Sequence, residues 1–274
     1  MRYHTFSIAH GIARGLLAAG LVQAILTPGL ALAQEDPRAF TETGFSITDD
    51  AIWTFFSQHG GTATFGAPIS REFVLMGAPV QLFQNAALQV QPDGSVQVMQ
   101  ATGPDLVPYS QLNGLSIPVA DPAMAFVAPS VDQANYPARL QVFMQASVPD
   151  TWNGAPVAFS STLMAAGGPG VWGLPTSSPK ADPNNPDFIY QRFQNGILLY
   201  DSAAGTTQPL PMGEYLKALL TGQNLSLDLA GEAADSPLLR QYYPTRPRSL
   251  ATLGKLTTSD LTNAFVPDDD SIGQ

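Results

Sequence analysis

The chain reads as an α+β protein: two β-hairpin repeats with covering helices and long Pro/Gly-rich loops. Three observations predict this. First, one block of sequence occurs twice: Phe65-Gly66-Ala67-Pro68-Ile69-Ser70 precedes Gln81-Leu82-Phe83-Gln84-Asn85, and Trp172-Gly173-Leu174-Pro175-Thr176-Ser177 precedes Gln191-Arg192-Phe193-Gln194-Asn195-Gly196. Gln191 follows Gln81 by 191 − 81 = 110 residues, an internal repeat to be read before any single motif. Second, segments of period two alternate with segments of helical period. Third, 24 Gly and 24 Pro against only 12% charged residues suit a loop-rich, β-containing chain.

The N-terminus carries Arg2, His4 and Arg14, an apolar run from Gly15 to Leu26, a Pro28-Gly29 break and Ala31-Leu32-Ala33. This order predicts a secretory signal peptide over 1–33, cleaved after Ala33, with a flexible leader over 34–43. A retained anchor is the alternative, although Gln23, Pro28 and Gly29 interrupt the run. Of 12 basic and 22 acidic residues, cleavage removes only Arg2 and Arg14, so the mature balance is 10 − 22 = −12. Such a chain repels nucleic acid and anionic lipid, and no membrane insertion is expected after cleavage. With no Cys, disulfides, thiolate metal sites and a lipidated cysteine are excluded.

Repeat one with a packed strap is expected over 44–129, repeat two over 130–230 and a C-terminal extension over 231–274, as one domain or two. Thr48 is read as the N-cap of a helix carrying Ile52, Phe55, Phe56 and His59 on one face, ended by Gly60-Gly61. Val80 to Gln91 and Ser95 to Met99 form a hairpin closed by Pro92-Asp93-Gly94. Thr102 to Pro129 reads as coil, yet Leu106, Val107, Tyr109, Leu112, Leu115 and Ile117 are too apolar for a solvated tether, so it packs as a strap. A helix follows over Tyr136 to Ser147, with Leu140, Phe143 and Met144 on one side; Val157 to Ala166 fits a strand or a helix, and its Leu-Met-Ala-Ala tail before Gly167-Gly168 favours the helix. The second copy gives a strand from Ile189 to Asp201, a turn at Ser202 to Gly205 and a return strand from Thr206 to Leu210. Met212 to Thr221 is the clearest helix, with Tyr215, Leu216, Leu219 and Leu220 on one face and Gly222 at C′. A short helix is expected over Ser236 to Tyr243.

The Gly-x-Pro turn leading to Gln-x-Phe resembles the LGFP-type repeat of secreted, cell-envelope-associated bacterial proteins. It also resembles uncharacterised secreted bacterial proteins with an FG-x-P-[IT]-[ST] turn and a Q-x-F-[EQ]-[RN] strand. Gly66, Pro68, Gln81 and Phe83 carry the likeness in the first copy, and Gly173, Pro175, Gln191 and Phe193 in the second. The copies lie far apart rather than in tandem, and the second has Trp172 and a spacer three residues longer. The resemblance implies association with the cell wall and no catalytic residue.

Candidate chemistry is sparse. After cleavage His59 is the only histidine, without a nucleophile elbow, so neither a Ser-His-Asp triad nor a histidine metal site is expected. Asp182 to Asp187 offers oxygens to Ca²⁺ but lacks the Gly and terminal Glu of an EF-hand; it reads as a turn, and no cofactor is expected. A hydrolase needs paired carboxylates, of which Glu72 and Glu214 are the first to test. Arg240, Arg246 and Arg248 read as salt-bridge partners. Glycan binding needs aromatic faces beside amides and hydroxyls, which points to Trp152, Trp172, Tyr190 and Tyr200. Phe83 and Phe193 share a face with Gln81 and Gln191, so Gln-x-Phe is structural: Phe in the core, Gln tying the Gly-x-Pro loop. The reading is a secreted, non-enzymatic extracellular or cell-envelope protein whose partner is wall polysaccharide or another surface protein. A carboxylate hydrolase of wall polymer, or a structural module of a surface assembly, is the alternative.

Overall fold

The duplicated sequence folds twice into one unit in the computed structural model, which describes residues 36–103, 106–242 and 259–268. A small hairpin comes first, β1 (Ala39–Phe40) against β2 (Phe45–Ser46), followed by helices α1 (Asp50–Gln58) and α2 (Thr62–Phe65). Next is an antiparallel meander of β3 (Phe73–Leu75), β4 (Ala78–Leu82), β5 (Ala87–Val90) and β6 (Val96–Val98). A second small hairpin, β7 (Gln111–Leu112) with β8 (Leu115–Ser116), leads to α3 (Pro122–Val127) and α4 (Tyr136–Ser147). The second unit repeats the plan with α5 (Phe159–Ala165), α6 (Pro169–Trp172) and a meander of β9 (Lys180–Ala181), β10 (Phe188–Arg192), β11 (Ile197–Asp201) and β12 (Thr206–Pro209). Helices α7 (Met212–Thr221) and α8 (Leu227–Glu232) follow. The fold class is α+β, as the sequence predicts.

The structural repeat is longer than the sequence motif. Ser46-Ile47 corresponds to Ser147-Val148, α1 to α5 and α2 to α6. Between the helices, Gly60-Gly61 (φ +96° and +56°) matches Gly167-Gly168 (φ +91° and +62°). These positive values fall where a side chain is strained, which fixes glycine at both sites. The offset grows from 147 − 46 = 101 to 167 − 60 = 107 to 191 − 81 = 110 residues, because the second copy inserts the Trp152–Ala155 turn and a longer β9–β10 loop.

Several expectations are corrected. The apolar run from Val80 to Gln91 is not one strand but two, β4 and β5, folded back at Phe83 to Ala86 where Phe83 N–H donates to the Ala86 carbonyl. The run from Ile189 to Asp201 divides in the same way at Phe193 to Gly196. Periodicity cannot distinguish one long strand from a tight hairpin when the turn residues are themselves buried. The N-cap of α1 is Asp49, which accepts from Ile52 N–H, rather than Thr48. The leader over 34–43 is not without structure, since β1 pairs with β2 and Phe40 packs edge-on against Phe56. The strap contains the β7–β8 hairpin, turned by Asn113-Gly114 at φ +51° and +80°, a signal present in the sequence and read there as coil. Ser236 to Gln241 forms turns rather than a helix, and Tyr243 lies outside the described residues. The signal peptide and Arg246 and Arg248 also lie outside them, and among the described residues no helix is long and apolar enough to cross a membrane.

Strand alternation sends side chains to different cores. Phe83, Leu88, Phe193, Leu198 and Tyr200 face a central core shared by both repeats and their helices. The opposite faces enter two outer cores: Val80 and Leu82 pack with Leu261 and Ala264, and Tyr190 and Leu199 pack with the strap. Helix α7 joins these outer cores, placing Leu216 and Leu220 in one and Met212 and Leu219 in the other. The described residues accordingly fall within one compact unit.

The two units grip each other reciprocally. Thr102, just after β6, donates its hydroxyl to the Gln194 carbonyl at 2.6 Å, while Glu214, at the equivalent exit from β12, donates its N–H to the Gln84 carbonyl at 3.2 Å. At Gly213 the approach is closest, for a Cβ there would stand 1.7 Å from the Phe83 carbonyl oxygen and 2.9 Å from that of Ala86. Both obstacles are backbone and cannot swing aside. Gly213→Ala is therefore expected to cost about 3 kcal/mol, the upper end for an overpacked core. Denaturant unfolding checks it against Gly231→Ala, a site with open space around the added methyl.

Candidate functional site

The repeated amides act first on their own backbone. Gln81 and Gln191 are both buried, and their Nε2 groups donate to Ser46 and Ser70 carbonyls in one repeat and to Ser147 and Ser177 carbonyls in the other. Ser70 and Ser177 hydroxyls accept from Leu82 and Arg192 N–H. Gln84 and Gln194 accept from Ala67 and Leu174 N–H, and Asn85 and Asn195 donate to Thr64 and Val171 carbonyls. Gly66 and Gly173 lie at φ +74° and +71° against the side chains of Gln84 and Gln194. Phe83 and Phe193 are core residues, and Pro68 and Pro175 bridge to them. Within Gln-x-Phe-Gln-Asn, both glutamines hold the Gly-x-Pro turn segment, and the first also reaches the segment ahead of the helices.

Where the two turns meet, equivalent residues come together around a shallow open notch: Thr64 and Val171, Phe65 and Trp172, Asn85 and Asn195, with Ala86 and Val98. Its base has room for about one water, and none of its eight lining residues is acidic. A sugar ring does not fit there.

The four aromatic candidates do not form one surface. Trp172 is 6% exposed, packs edge-on against Phe193 and donates its indole N–H to the Ala166 carbonyl. Tyr190 is fully buried in the outer core beneath the strap, and Tyr200 is buried in the central core. These three faces cannot stack on a ligand, which corrects their assignment; they follow the ordinary fate of large aromatics on alternating strands. Trp152 differs. It is half-buried at a tight turn closed by mutual Trp152–Ala155 backbone bonds, with exposed Thr151, Asn153 and Gly154 around it.

Charged residues that the sequence reading passed over hold the strap. Arg192, 2% exposed, donates from Nε to the Pro118 carbonyl and from Nη2 to those of Pro108 and Tyr109, each at 2.7 Å. Burial brings its pKa down to about 10, opposed by Glu232 nearby. Glu232 accepts from Ser110 and Gln111 N–H, Asp228 from Gly114 N–H, and Asp182 from Ser116 N–H. Two buried tyrosines complete this region, Tyr109 and Tyr190, whose phenols burial pushes up. The first repeat has Leu82 where the second has Arg192, so the guanidinium serves only the strap. Arg192→Leu would leave three carbonyls without donors, at a cost of about 3 kcal/mol, as for a broken buried charge contact. The expected readout is faster amide exchange across 106–118 than in the rest of the chain.

The other expected sites separate. Asp182 Oδ1 also accepts from Asn184 and Asn185 N–H, so the candidate calcium loop is closed on its own backbone. Among the described residues no group of three or more His, Asp or Glu stands together as a metal cage. His59 donates Nδ1–H to the Phe55 carbonyl and stacks on the Phe55 ring. Glu214 lies beside Lys217, whose Nζ donates to the Ile69 carbonyl. Glu72 is raised above its ordinary 4.5 by partial desolvation and by Asp49. Its protonated form is favoured by folding, so its contribution is present at low pH and is lost as pH rises above 4.5 through the raised value. Glu72→Gln should therefore raise the melting temperature at pH 7 and leave it unchanged at pH 3, as differential scanning calorimetry would report.

Comparison with family models, curated proteins and solved structures finds no match for this chain.

Proposed function

We propose that this is a secreted, non-enzymatic protein of the cell envelope or extracellular space that binds wall glycan or another surface polymer through Trp152. The observation that carries the reading is the presentation of this indole. It is half-buried, so its orientation is fixed by the central core, and it sits at a rigid turn whose exposed Thr151 and Asn153 offer hydrogen bonds beside it. An indole face with a hydroxyl and an amide at its edge is the chemistry that stacks on a sugar ring and bonds its hydroxyls. The turn is absent from the first repeat, so the second copy alone carries the site.

The test is co-sedimentation of the protein beginning at Gln34 with isolated cell-envelope polysaccharide, with released sugar assayed in the supernatant. Pelleting without release is expected, and Trp152→Ala should weaken it about tenfold, the loss of roughly 1.4 kcal/mol of stacking. Release of sugar would favour a hydrolase and direct attention to Glu72 and Glu214. A protein that stays in the supernatant sinks the polymer reading.

A further inference from the structure

Between the two repeats lies an arm, residues 119–146, whose helices α3 and α4 contain no buried residue. It presents Phe126 at 90% exposure with Val119, Val127, Val131 and Val142 also exposed, whereas the other exposed large apolar side chains among the described residues, Met76, Met164, Leu227 and Val266, lie singly along the chain. A concentration of apolar side chains of this kind marks an interaction surface rather than ordinary scatter. Its charge is equally distinctive. Only Asp121, Asp132 and Arg139 are charged in the arm, against a balance of 10 − 22 = −12 for the chain beyond residue 33.

Asp132 and Arg139 are both exposed, and among the described residues neither has an oppositely charged partner. The Arg139 side chain donates from Nε to the Ala134 carbonyl, and the Asp132 carboxylate accepts from the Ser130 hydroxyl. They lie seven residues apart (139 − 132 = 7), Asp132 in the turn ahead of α4 and Arg139 in its first turn. In a twofold contact, residue i of one copy meets residue j of the other and j meets i. An antiparallel pairing centred between these two residues sets each acid against the other copy's guanidinium, twice, while bringing the apolar side chains together.

We propose that the arm is a homodimerisation surface, in which α3 and α4 of one copy pack on those of a second copy with two reciprocal Asp132–Arg139 pairs. Elsewhere, contact between two copies of so acidic a chain meets like-charge repulsion; here the arm's net charge is only 1 − 2 = −1, and the apolar side chains lose their exposure to water. The occupant follows from this complementarity. An anionic lipid surface would face Asp121 and Asp132 with a single Arg, whereas a second copy sets an Arg139 against each Asp132.

Sedimentation velocity of the chain beginning at Gln34, over a hundredfold concentration range at low and moderate salt, tests this. A concentration-dependent dimer is expected that weakens with salt. Phe126→Ser with Val142→Ser should abolish it, and because both positions are exposed the circular dichroism should be unchanged. Arg139→Asp should weaken the dimer at least tenfold, and Asp132→Arg combined with Arg139→Asp should restore it. A monomer at every concentration, or a dimer indifferent to these variants, overturns the proposal. If the unsubstituted chain is monomeric at every concentration and the Phe126→Ser and Val142→Ser variant loses polymer co-sedimentation, the arm is assigned to the polymer instead.

Discussion

Each Phe-Gln-Asn turn leaves backbone carbonyls pointing away from its own sheet, and the segment that exits the opposite sheet covers them. Thr102 covers Gln194, and Gly213 with Glu214 covers Phe83 and Gln84. Buried carbonyls need donors, so neither turn is complete without the other repeat. This reciprocity accounts for the shared central core, for the glycine at the first turn of α7, and for the placement of α7 across both outer cores. It also separates the chain from tandem repeats, in which each unit touches only its neighbours through a translated contact.

The same constraint consumes the side chains that look functional. Eight amide and hydroxyl groups across Gln81, Gln84, Asn85, Ser70 and their counterparts serve backbone atoms of the two loops they brace. The notch between the turns has room at its base for only about one water because the paired aromatic and amide positions meet there. The binding proposed above therefore falls to what the second copy adds to the common plan, the Trp152 turn, and to the arm between the copies. In that proposal the insertions bind, while the repeats supply a rigid frame.

The strap shows how an irregular segment is kept in place. Its apolar side chains enter the outer core over Tyr190 and Leu199, but its backbone has only one short hairpin to satisfy it. Arg192, Glu232, Asp228 and Asp182 supply further donors and acceptors. Charged partners make stronger hydrogen bonds than neutral ones, which lets a few side chains hold a dozen residues of loop.

The sequence by itself determined the α+β class, the duplication, the helices over Tyr136–Ser147 and Met212–Thr221 and the packed nature of the strap. Each of these follows from local propensity, periodicity or repetition, which neighbouring residues carry. It also determined that Phe83 and Phe193 are core and that Gln81 and Gln191 bond backbone, because a glutamine sharing a strand face with a buried phenylalanine has no other outlet. Tertiary structure decided the fold-back at Phe83–Ala86 and Phe193–Gly196, the burial of Trp172, Tyr190 and Tyr200, the role of Arg192 and the exposure of α4. These depend on which surface lies across from a residue. Trp172 and Trp152 are the same side chain beside similar glycine-containing turns, and only tertiary packing, against Phe193 and the central core, buries the first and leaves the second half in solvent.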